Sequence, residues 1–135
     1  MHDSEQSGHW FPGSRVAVLL VHGLTGTPKE MLSVAKRLNK YGFTVFCPVL
    51  AGHCGSEEDL LATRWQDWAH SVENALSQLA EQADVVFVGG LSAGAVLSLY
   101  LADRHPDRHD FQKWYHDYSP WRRYAETGRQ CIFCW

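Results

Sequence analysis

The sequence predicts an α/β fold with a parallel sheet, three strands alternating with helices, and three observations carry that reading. Val16-Ala17-Val18-Leu19-Leu20-Val21 is an unbroken apolar run between turn residues, the pattern of a strand buried on both faces of a sheet. Val85-Val86-Phe87-Val88 has the same character and runs directly into Gly89-Gly90-Leu91-Ser92-Ala93-Gly94. Between these strands, apolar residues recur at helical rather than strand spacing. Right-handed crossovers between the parallel strands follow.

The elements can be taken in chain order. Residues 1–14 are polar and rich in Gly and Ser, with a turn-like patch at His9-Trp10-Phe11-Pro12-Gly13, and read as a mobile arm. The first strand, Val16 to Val21, ends in the tight loop His22-Gly23-Leu24-Thr25-Gly26. A helix then begins at Thr27, a capping residue, with Pro28 at the first helical position and Glu30 where a capping-box acid belongs. Met31, Val34, Ala35 and Leu38 share one face, and Gly42 supplies the stop. Phe43-Thr44-Val45-Phe46-Cys47 is the second strand, closed by Pro48, and residues 51–59 read as a loop. Trp65, Trp68, Ala69, Val72, Leu76 and Leu79 mark one stripe of a long amphipathic helix. The third strand, residues 85–88, is expected to flank the first, which is central, with the second strand on its other side. Residues 95–102 are apolar almost all round, as in a helix buried in a larger protein.

The composition changes near Arg108. Residues 109–135 hold three Trp and three Tyr but a single aliphatic core residue, Ile132, and show neither strand nor helix periodicity. The division read from the sequence is therefore an arm over 1–14, a folded unit over 15–108 and an atypical tail over 109–135.

Composition narrows the function classes. The chain has 135 residues, 45% hydrophobic and 20% charged, enough for one globular domain. A net charge of -3 offers no basic footprint for a phosphate backbone, which argues against nucleic acid as a partner. The longest apolar run, Val16 to Val21, falls far short of the ~20 residues that span a bilayer, so no membrane anchor is expected. The first ten residues lack the basic and apolar regions of a secretory signal. Four cysteines, Cys47, Cys54, Cys131 and Cys134, are irregularly spaced and read as reduced thiols of a cytoplasmic protein. Cys131-Ile132-Phe133-Cys134 has no second ligand pair for zinc, so no metal site is expected.

Gly90-Leu91-Ser92-Ala93-Gly94 fits G-x-S-x-G, and it lies where that motif requires, between a buried strand and a helix. Small residues at 90 and 94 let strand and helix approach, and the sharp turn lifts the Ser92 hydroxyl above the sheet. Ser92 is thus the candidate nucleophile. Acyl transfer also needs about two positioned N–H donors for an oxyanion. Ala93, the residue after the nucleophile, supplies one, and Leu24 in the Gly-rich loop after the first strand is the candidate for the other. Gly23 lets backbone approach a ligand. His22 sits on the wrong loop for a general base and is read as a hydrogen-bonding support of its loop.

The segments VLLVHGLTGTPKE, PVLAGHCGSEEDL, TRWQDW and VFVGGLSAG, in that order, resemble bacterial α/β-hydrolase carboxylesterases related to monoacylglycerol lipases. The resemblance spans about residues 15–108. It implies a serine esterase or lipase acting on small acyl esters through an acyl-enzyme, with no metal or cofactor, in which Ser92 attacks and Leu24 and Ala93 hold the oxyanion. Gly52-His53 matches the family's G-H-G loop, with Cys54 where Gly is common, and His53 reads as structural.

The order of this triad is Ser, then Asp or Glu, then His, on later loops. Only 43 residues follow Ser92. Asp103, His105 and Asp107 fall at the end of the nucleophile helix, and His109, Asp110, His116 and Asp117 in the tail; none follows a strand. The chain therefore reads as the N-terminal half of an esterase, inactive alone, its tail the product of a frameshift, truncation or misassembly. Two further readings stand beside it: a non-catalytic half that pairs with another chain or with itself through an open sheet edge, and an acyltransferase on the same fold.

Overall fold

The computed structural model describes residues 7–105 and the backbone of residues 133 and 134. Strand β2 (Val16–Val21) is the centre of the sheet, as its apolar run demands, and all but Val16 are buried. It pairs in parallel with β3 (Thr44–Cys47) on one side and β4 (Val85–Gly90) on the other. Two strands flank this trio. At one edge β1 (His9–Phe11) runs antiparallel to β3, and at the other β5 (Phe133–Cys134) runs parallel to β4, giving the order β1-β3-β2-β4-β5.

The helices divide between the two faces, and β2 records the division residue by residue. Ala17, Leu19 and Val21 join Phe46 and Leu50 in a core built with α3 (Trp65–Ala80) and α4 (Ala93–Arg104). Val18 and Leu20 point the other way, into a second core with Met31 and Ala35 of the Pro28–Met31 turn and α1 (Leu32–Lys40). Side chains alternate across a strand, so a strand buried on both faces must be apolar throughout.

Several elements depart from the sequence reading. Residues 9–11, placed in the N-terminal arm, form β1, with Trp10 tilted against Phe46 at 5.1 Å between ring centroids. The arm's end is tied down by Gly13 N–H to Thr44 Oγ1 and Ser14 N–H to Gly42 O. Pro28 opens a 3₁₀ turn rather than an α-turn, capped by Thr27 Oγ1 accepting from Lys29 N–H. Within the expected loop 51–59 a short helix α2 (Glu57–Leu61) begins, held by a reciprocal Ser56–Asp59 capping box. Trp65 lies off the buried stripe of α3, 54% exposed and edge-on to Tyr100.

Strand β4 is less buried than its sequence implies. Residues 85–88 are only half-buried, and burial begins at Gly89 and Gly90. The cause lies on its outer side: β5 meets Gly89 and Gly90 alone, and among the described residues nothing pairs with Val85 to Val88 there. Helix α4 shows the same exposure, since Val96 and Leu99 face outward while Ala95, Leu97 and Leu101 are buried. The tail's remaining residues, with Asp107, His109, Asp110, His116, Asp117 and Cys131, lie outside the described residues. No described helix is long and apolar enough to cross a membrane.

Candidate active site

The candidate residues gather at the C-terminal ends of β2, β3 and β4, where ligands bind in open α/β sheets. Ser92 stands between β4 and α4 with φ 55° and ψ -117°, a backbone conformation that side chains rarely adopt. Its neighbours hold it there. A Cβ at Gly94 would collide with the Val21 carbonyl and lie 2.5 Å from the His22 carbonyl; one at Gly90 would meet Gly94 backbone and Val21 O. The two glycines therefore let β4, α4 and the end of β2 touch backbone to backbone. Ser98 Oγ donates to Gly94 O across the first turn of α4, and Leu91 N–H donates to Val21 O. Ser92 itself is exposed.

The loop over residues 22–26 lies against this turn. A Cβ at Gly23 would sit 3.4 Å from Leu91 O and 3.6 Å from Ser92 Cβ, so the loop backbone is one atom's width from the serine. Two histidines brace it. His22 is wholly buried; Nδ1 donates to Gly23 O at 2.8 Å and Nε2 accepts from Leu50 N–H at 3.2 Å. Burial holds its pKa below the ordinary imidazole value and His53 adds to that, while the Gly23 carbonyl and Glu30 oppose. Both ring nitrogens are engaged, so His22 has no free lone pair to take a proton from Ser92. His53 packs edge-on to His22 and to Trp68, and its Nε2 accepts from Thr25 N–H.

An inventory of loop amides singles out one position. Gly23 N–H goes to Glu30, Thr25 N–H to His53 and Gly26 N–H to Gly23 O. Leu24 N–H has no hydrogen-bond partner among the described residues, and neither does Ala93 N–H at the head of α4. These are the two amides the sequence proposes for an oxyanion. The sequence did not single out Glu30 for the site, reading it as a capping acid; its side chain instead reaches back seven residues to Gly23 N–H. A contact between two loops leaves no periodic trace, so no local signal could have found it.

His105 and Asp103 are far from Ser92. Helix α4 has 12 residues, which at 1.5 Å per residue puts its two ends about 18 Å apart. At the far end His105 Nε2 lies 2.6 Å from Glu73 Oε2, and Arg104 pairs with Glu73 Oε1 at 3.2 Å. Of the cysteines, Cys47 is buried with its thiol pushed up to about 12, which makes it inert, and Cys54 is half-buried at φ 63°. Among the described residues no cluster of His, Cys, Asp and Glu could hold a metal ion.

The strand order, the sharp serine turn and the crossing of α4 over β2 and β4 define a class, and comparison with known families agrees: residues 16–109 match the alpha/beta hydrolase fold, and the chain belongs to that family. Over 92 residues it is 48% identical to a thermostable monoacylglycerol lipase of Bacillus sp. (strain H-257) and 36% identical to a carboxylesterase of Bacillus subtilis (strain 168). These matches cover 68% and 67% of this chain but 37% of each relative, so the chain spans little more than a third of the curated relatives it matches. A solved structure from work on LipS and LipT, two metagenome-derived lipolytic enzymes, superposes with a TM-score of 0.74 at 35% identity, over 77% of this chain and 42% of that one.

Proposed function

We propose that this chain carries the nucleophile-bearing part of a serine carboxylic ester hydrolase. The observation that carries the reading is the strained Ser92 backbone, fixed between Gly90 and Gly94 at the strand–helix turn, beside two amides that have no partner among the described residues. In the reaction Ser92 Oγ attacks the carbonyl carbon of a small acyl ester. The Leu24 and Ala93 N–H groups stabilise the tetrahedral oxyanion, which collapses to an acyl-enzyme as the ester C–O bond breaks and the serine proton leaves on the alcohol; water then adds, returns a proton to Ser92 and releases the acid. His22 and Gly23 keep the donor loop in place, and Gly90 and Gly94 the serine.

A second reading concerns the polypeptide as it stands, and the position of His105 favours it. The described histidine beyond Ser92 is about a helix length away and paired with Glu73. With no base beside it among the described residues, the serine keeps only the contribution of binding and oxyanion donors, ~10³–10⁴ over water in a good scaffold. The 135-residue chain is then close to inactive, a half that needs the rest of the fold. In a chain restored to full length, a fluorophosphonate probe tests the nucleophile independently of turnover. The expected result is a single adduct that peptide mapping places on Ser92 and that Ser92→Ala removes. An adduct that survives the substitution would sink the assignment.

A further inference from the structure

Glu30 sits where two loops meet. Its Oε2 accepts from Gly23 N–H at 3.2 Å, and its carboxylate lies over Gly26 so closely that a Cβ there would fall 2.6 Å from Oε2 and nearer still to Oε1. The Cβ position of Gly23 is 3.8 Å from the same Oε2 and 3.6 Å from Ser92 Cβ, so one residue's width separates the carboxylate from the serine. The 3₁₀ turn makes this reach possible: it starts at Pro28, and Glu30 N–H bonds back to Thr27 O.

We propose that Glu30 is a positioning residue for the oxyanion loop, acting through Gly23 and Gly26; the inference rests on Leu24 being a donor to the oxyanion. The physical reasoning is geometric. A five-residue loop has few amides, and each that is tied down fixes the aim of the one left over. Glu30 holds the amide immediately before Leu24, and His53 holds the one immediately after. The Leu24 N–H is therefore clamped from both sides. Gly26 belongs to the same device, because only a residue without Cβ leaves the carboxylate its place. The obstacle to a side chain at position 26 is the end of a flexible Glu side chain, so a methyl group there displaces the carboxylate rather than the backbone.

The test uses the 135-residue chain and three variants: Glu30→Ala, Glu30→Gln and Gly26→Ala. Two quantities are followed: hydrogen exchange at Gly23 N–H in the 135-residue chain, and the rate at which a fluorophosphonate labels Ser92 in the same chain restored to full length. Glu30→Ala is expected to speed Gly23 exchange and slow labelling, each about tenfold, less than the ~10²–10³ that loss of a whole oxyanion donor costs. Glu30→Gln keeps an oxygen that can accept from Gly23 and should retain both rates within about threefold. Gly26→Ala should reproduce Glu30→Ala, and the double variant should add nothing, as expected for residues acting through one contact. Equal labelling rates in all the chains would overturn the positioning role, as would Gly23 exchange that ignores Gly26→Ala. Absence of any Ser92 adduct in the unsubstituted full-length chain would overturn the nucleophile assignment instead, and Gly23 exchange would still decide whether Glu30 holds the loop.

Discussion

The two ends of helix α4 differ in kind. At its N-terminus, Ser92 is held in an unfavourable conformation by backbone contacts that leave no space for a methyl group, and the neighbouring loop has nearly every amide engaged. At its C-terminus, Arg104 and His105 share one carboxylate, Glu73, near the surface, while Val96 and Leu99 along the helix face solvent. Strain survives only where surroundings over-determine it. The first end has the marks of a site and the second those of a helix terminus awaiting further structure.

The largest effect should come from filling the space at the first end. Gly94→Ala places a methyl group against the Val21 and His22 carbonyls, backbone atoms that cannot step aside. Destabilisation of about 3 kcal/mol or more is expected, enough to abolish a cooperative unfolding transition. A variant that melts like the parent would show that the two segments are not in contact.

Acid should act on the same end through His22. Its folded-state pKa is lowered, chiefly by burial, so the unfolded chain takes up the proton first as pH falls. The stabilisation from a neutral buried His22 is present above about pH 6.5, the ordinary imidazole value, and is lost progressively below it. Melting temperature should fall between pH 7 and pH 5, with the His22 ring still neutral by NMR where a free histidine is protonated. A His22 that titrates at or above pH 6.5 would contradict its burial.

The far end should respond weakly. Glu73→Ala removes the partner of both Arg104 and His105, yet these groups are partly solvated, and a loss of no more than about 1 kcal/mol is expected. Phosphonate labelling of Ser92 in the chain restored to full length should be unchanged. A drop in labelling would tie the two ends together.

The smallest effect isolates strain itself. Cys54 shares a positive φ with Ser92, and it stands between two crowded glycines of its own, Gly52 and Gly55. Relief of ~1–2 kcal/mol of strain, less the ~0.5–1 kcal/mol entropic cost of glycine, predicts that Cys54→Gly stabilises the chain by about 0.5 kcal/mol, whereas Cys54→Ala should not. Denaturant midpoints of the two variants decide it.

What was legible in the sequence follows from how local each feature is. The β2 run and the G-x-S-x-G turn carry their patterns in consecutive residues, and the sheet's centre and the position of Ser92 could be read from them. Strand β1 leaves no trace in the sequence because three residues give no alternation, and it forms by pairing with β3, where Trp10 meets Phe46. Helix α2 was missed although Ser56 and Asp59 have capping-box spacing, a signal that was available. The exposure of residues 85–88 could not be read at all, since it depends on what lies beside β4 and not on β4. In the site, the motif points to Leu24, whose N–H has no partner among the described residues; Glu30 and the His53–Thr25 bond depend on contacts between separate loops.

We propose, then, that Ser92 is set for attack with no base in reach among the described residues. Turnover of a short-chain p-nitrophenyl ester by the purified 135-residue chain, beside Ser92→Ala, tests it most directly. Hydrolysis hardly above background is expected, far below the ~1 s⁻¹ at which ordinary enzyme turnover begins. A rate of about 1 s⁻¹ or more that Ser92→Ala abolishes would contradict it, by showing that a base reaches Ser92 after all.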